Sequence, residues 1–193
     1  TNLSEAGLTA KRLQLGFEEL LCRLALVRVA VLRQDHILAR EQLMRAQGLI
    51  SDRSDRLVFR FREVLLLHWE GTYTPSHAID ELQALIEAFG DMGLLQEQCA
   101  VRLHMADIMR SLGNENYVRE LDQIQALSVS LQNQAFLARE WPLLPDLQKI
   151  AQHTHSRIAG RVTPVVEVLT LGQEQLVFDH RPVSIPLLSL IPT

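Results

Sequence analysis

Cysteine and lysine are both scarce in this chain, and each shortage excludes a class of protein. Two cysteines, Cys22 and Cys99, in 193 residues cannot form a disulfide framework. Both lie in apolar stretches where a small buried thiol is ordinary, which points to a reducing compartment. Of the 19 basic residues only Lys11 and Lys149 are lysines, and 23 acidic residues outweigh them to leave a formal net charge of −4. There is thus no global attraction to phosphate backbones, and no block of like charges forms a tail. Long apolar runs are missing too. The most apolar stretch, Leu24 to Leu32, is interrupted by Arg28 and is far too short to span a bilayer. With no visible signal peptide, the expected location is the cytoplasm, without a membrane partner. The chain begins with Thr1 rather than Met, which suggests a fragment or a processed chain.

With 47% hydrophobic and 22% charged residues, the composition is that of an ordered globular protein. From Phe17 to Ser130 apolar residues recur at three- and four-residue intervals. Breaks fall at Gln34-Asp35, Ser51 to Ser54, Gly71 to Pro75, Gly90 to Gly93 and Gly113-Asn114, and they predict helices over 16–33, 36–50, 55–70, 75–89, 94–112 and 115–131. A shorter helix is predicted near 143–152. Short loops make each consecutive pair an antiparallel hairpin.

Shifting the chain by 39 residues superimposes apolar positions in all three hairpins. In the first helices the matched sets are Val27, Leu66, Met105 and Ala30, Trp69, Ile108. In the second helices they are Ala39, Ala78, Tyr117, then Leu43, Leu82, Leu121, then Ala46, Leu85, Ile124. Each set lies on one helical stripe, so each hairpin is expected to close a small core and to bury the remainder by stacking. The pattern resembles the tetratricopeptide repeat, above all its longer variety in bacterial transcription regulators of the MalT type. A small residue opens the second helix at Ala39 and Ala78, and an aromatic sits late in the first at Trp69. Tyr117 departs from the small-residue rule.

Residues 165–185 are rich in β-formers. The segment VEVLTLGQEQLVFDHRPVSI, with Leu171-Gly172 and Asp179-His180-Arg181-Pro182-Val183, resembles the opening sheet of the winged-helix domain in activators of the SARP or BTAD type. His180 stands where that family has Gly. The resemblance implies that DNA-reading helices belong after Thr193. The expected fold is therefore all-α. A right-handed solenoid of helical hairpins, three repeats plus a terminal helix, covers 1–153. A linker covers 154–164, and a β-hairpin segment like the start of a truncated winged-helix domain covers 165–193.

No nucleophile with a base, paired carboxylates or metal spacing stands out, so neither an enzyme, a cofactor nor a metal is expected. His153 and His155 form an H-x-H without a nearby third ligand, and His104 with Asp107 reads as a polar pair on a solvated helix face. Gly90-Asp91-Met92-Gly93 lacks the strand and Lys-Ser/Thr of a phosphate loop and reads as an interhelical turn. Carried onto tetratricopeptide geometry, the register implies a concave surface that includes Arg28, Arg60, Glu63, Leu67, Arg102, Met109 and Arg110. Arginine forks over an apolar floor suit a peptide with carboxylates. The expected function is the interaction or sensor segment of a cytoplasmic bacterial transcription regulator. Its expected partner is a protein, peptide or effector, with self-association through the C-terminal strands and no DNA binding by these residues alone. The alternative is a free-standing adaptor unrelated to transcription.

Overall fold

Local chemistry starts and stops most of the helices. Asp35 caps α3 (His36–Gln47) by accepting from the Leu38 N–H at 3.0 Å, and Asp52 caps α4 (Arg53–Trp69) by accepting from Asp55 N–H at 2.8 Å. Thr74 caps α5 (Pro75–Asp91), where Pro75 fills the first turn and needs no N–H partner. At their C-termini, α2 (Gly16–Leu32), α4, α5 and α6 (Leu95–Ser111) all close with the same pair of bonds. After α4, for instance, Gly71 N–H donates to His68 O and Thr72 N–H to Leu67 O, and the residue making the turn is left-handed each time. That residue is Gly71, Gly93 or Gly113 in three cases and Gln34, at φ 59°, after α2.

The computed structural model describes residues 2–13, 15–131 and 135–154, together with three strand segments. The chain divides into two compact units, Thr1–Ala159 and Gly160–Thr193. Among its described residues the first is all-helical, with α7 (Tyr117–Leu131), α8 (Ala135–Glu140), a 3-10 turn at Trp141–Leu143 and α9 (Pro145–Thr154) following α6. Two elements went unforeseen in the sequence. α1 (Asn2–Arg12) packs against α2, where Gly7 approaches Cys22, and α8 is too short to carry a periodic signal. In the second unit, β1 (Val166–Leu169), β2 (Gln175–Phe178) and β3 (Arg181–Val183) pair antiparallel in the order β1-β2-β3. Val166 lies opposite Phe178, and Leu176 opposite Val183.

The 39-residue register is visible in the burial. Of the matched residues, Val27, Leu66, Met105, Ala30, Ile108, Ala39, Ala78 and every member of the two remaining second-helix sets are buried. Trp69 and Tyr117 are partly buried and pack on the edges of their clusters. The cores close by stacking as well as within hairpins, because no hairpin does it alone. The first cluster joins α2 and α3 to Phe59 and Leu66 of α4, and the second joins α4 and α5 to Val101 and Met105 of α6. The third joins α6 and α7 to Phe136, Leu137, Trp141 and Leu147 of the C-terminal helices. Each core is thus completed by the next element along the chain. The first helices also meet one another directly, α2 with α4 and α4 with α6.

Candidate functional site

Glu140, the last residue of α8, reaches all three first helices at once. Its carboxylate accepts two parallel bonds from Arg62 of α4, at 2.8 and 3.0 Å, in the bidentate geometry that suits a guanidinium. Nε2 of His104 on α6 lies 3.0 Å from the same carboxylate, and Nη2 of Arg28 on α2 lies 3.8 Å away. Glu140 and His104 are each only 2% exposed. The rings of Phe61 and Trp69 make T-shaped contacts with His104 at centroid distances of 5.5 and 6.0 Å, and the Arg62 guanidinium lies 4.4 Å from the centroid of Phe61. The cluster is therefore a charged knot inside an apolar wall.

Its protonation states follow from that setting. Burial alone raises the pKa of Glu140, but the Arg62 charge and the hydrogen bonds from His104 and Arg62 outweigh it and hold the carboxyl well below its ordinary range. Burial pushes His104 down from its ordinary value, with Glu140 only partly opposing. His104 is thus a neutral imidazole. Because a carboxylate can only accept, Nε2 carries the proton and donates it to Glu140. Burial also lowers Arg28, opposed by Glu140 and reinforced by the charges of Arg62 and Arg139.

Of the residues expected on the concave surface, only Arg28 belongs to this knot. Arg60 bonds Glu63 on its own helix and Glu81 on α5, and Arg102 bonds Glu120 and Gln123 on α7, so both tie a first helix to the second helix of the same hairpin. Burial works against the Arg60 charge, but the bonds to Glu63, Glu81 and Tyr73 raise its pKa overall. Arg110 is held by Asp107. Leu67 is partly buried, and Met109 packs on the second core cluster. His104, expected on a solvated face, is instead buried. The register carried the signal: His104 stands 39 residues after buried Leu65, and Arg62 stands 39 before buried Val101. Glu140 had no comparable signal.

Cys99 is buried, and burial, against the lesser opposing effect of Arg102, pushes its thiol up to about 12, so it is unreactive at neutral pH. His153 Nδ1 lies 2.7 Å from the carbonyl of Lys149, while His155, the other half of the H-x-H, lies outside the described residues. Among the described residues no group of three or more His, Cys, Asp or Glu could hold a metal, and no helix is long and apolar enough to cross a membrane. No protein-family profile, curated protein or solved structure matches this chain.

Proposed function

We propose that the helical unit is a right-handed tetratricopeptide-like solenoid acting as the interaction and sensor segment of a cytoplasmic bacterial transcription regulator. It works by binding rather than by catalysis, on the face formed by its first helices. The observation that carries this reading is that α2, α4 and α6, in one 39-residue register, jointly hold a single chain segment through one carboxylate, Glu140. The face therefore has the chemistry to take a helical or extended segment that presents a carboxylate to arginine. Here the chain's own α8 occupies part of it. The link to transcription rests on the resemblance of residues 166–185 to a winged-helix opening sheet, and the order β1-β2-β3 is compatible with it.

Site-specific photocrosslinking tests the reading. A photoreactive residue at Leu21, exposed on α2 and beside the first-helix face, should capture one reproducible partner in the source cell. The same residue at Ile37, exposed on α3, should not. Equal capture from both positions, or none from Leu21, would count against it. Self-association is assigned to the strand unit, whose edges are β1 and β3, since such edges pair with a second copy unless covered. Light scattering is expected to report a dimer. A strict monomer would remove self-association from the proposal.

A further inference from the structure

Beside the knot, a cleft of about 320 Å³ opens between α1, α2, α4, α6 and α8, which is at the small end of the range for small-molecule sites. Leu3, Leu24, Val58, Phe61 and Ala100 give it an apolar wall. Its polar side is uneven. Both oxygens of Glu140 are already committed to Arg62, and one of them to His104 as well. Arg28, whose side chain is only 17% exposed, stands 3.8 Å from Glu140, beyond hydrogen-bonding distance. Its Nε is buried with no hydrogen-bond partner among the described residues. A guanidinium desolvated this far and this poorly bonded is costly unless an oxyanion meets its fork. Charge points the same way. Arg28, Arg62 and Arg139 line the cleft against Glu97 and Glu140, three cations to two anions, which leaves one positive charge.

We infer that this cleft is a binding site for a small monocarboxylate with an apolar body, its carboxylate on the Nη nitrogens of Arg28 and its hydrocarbon against Leu24 and Phe61. A single negative charge fits. A phosphate dianion would add charge beside Glu140 and Glu97, and a cation would meet Arg28. The site deepens the sensor reading by naming an effector class, and it rests on that reading only for what its occupancy signals. Because Glu140 both closes the cleft and joins the three first helices, a bound carboxylate competes for Arg28 at the junction between hairpins.

Isothermal titration of the whole chain with octanoate, octan-1-ol and octylammonium tests the site. Octanoate is expected to bind about tenfold or more tighter than the other two, the worth of one charge-assisted bond. Arg28→Gln should weaken octanoate by a similar factor without loss of helical circular dichroism. Ala25→Phe, which fills the cleft from α2 without touching a charge, should abolish binding. If Arg28→Gln does not fold, the Ala25→Phe variant and the three-ligand comparison still decide. Overturning results are no octanoate binding by the folded chain, equal binding of octanoate and octylammonium, or octanoate affinity unchanged by either substitution. None of these involves a macromolecular partner, so failure here leaves crosslinking at Leu21 unaffected, and failure there leaves the titration standing.

Discussion

Taking a carboxylate and a guanidinium out of water costs several kcal/mol for each ion, which their mutual attraction offsets only when the geometry is good and the remaining polar atoms are bonded. Arg62 and Glu140 meet that condition, so removing one partner should hurt more than removing both. Glu140→Met is expected to lose about 3 kcal/mol or more, because it strands a buried guanidinium, and Arg62→Met combined with Glu140→Met should lose less. Urea denaturation of the single and double variants checks this, and a double variant as unstable as the single one would contradict it. The knot should also be sensitive to acid. Glu140 has a folded pKa below its unfolded one, so its contribution is complete above the unfolded carboxylate range and is lost as pH falls below it. His104 is likewise lowered, from 6.5, so below that pH the unfolded chain gains a proton that the native chain refuses, and stability again falls as pH drops. The first loss is assigned to the imidazole. His104→Gln keeps a donor for Glu140 but does not titrate, so the fall in melting temperature between about pH 7.5 and about pH 5.5 should be smaller in this variant than in the parent.

At the scale of the element, the helix ends carry the clearest expectation. Gln34 makes the left-handed turn after α2 that Gly71, Gly93 and Gly113 make after α4, α5 and α6. A side chain there costs about 1–2 kcal/mol, from which the greater freedom of an unfolded glycine subtracts about 0.5–1 kcal/mol. Gln34→Gly should therefore stabilise the chain by about 0.5–1 kcal/mol. Gly71→Ala should destabilise it by about 1 kcal/mol through the backbone alone, since a Cβ at Gly71 would meet nothing within 4 Å. Thermal or urea denaturation of both variants tests the pair, and a Gln34→Gly midpoint below that of the parent would show that this turn is held by something other than its dihedral. The helix breaks were read from such residues, which is why six helices lay within a few residues of their predicted spans. α1 and α8 escaped notice because neither shows a repeated apolar stripe between clear breaks.

For the whole molecule, the distribution of charge bears on binding to nucleic acid. Arg23 pairs with Glu19, Arg40 with Glu70, Arg45 with Glu41, Arg60 with Glu63 and Glu81, Arg102 with Glu120, and Arg110 with Asp107. Arginines already neutralised by a neighbour add little to the continuous positive track from which counterion release derives its affinity, and the formal net charge is −4. DNA binding by this chain, measured by anisotropy at about 150 mM salt, should therefore be no tighter than about 10⁻⁵ M. Sequence-specific sub-micromolar binding would overturn the assignment of these residues to regulation rather than DNA reading. The amino-acid sequence by itself determined the all-α character of the helical unit, the helix boundaries from Gly16 to Leu131 and the register that selects Val27, Leu66 and Met105 for burial. All of these depend on residues near one another and on a period that repeats. What only the tertiary structure decided is which buried polar residues meet one another. Arg62 meets Glu140 across 78 residues, and neither position announces the other. His104 is buried because a short helix from outside the repeats packs over it, and Arg28 is left with a half-used guanidinium because that helix brings one carboxylate where two cations converge. Long-range pairing of charges is set by packing, which no local pattern encodes.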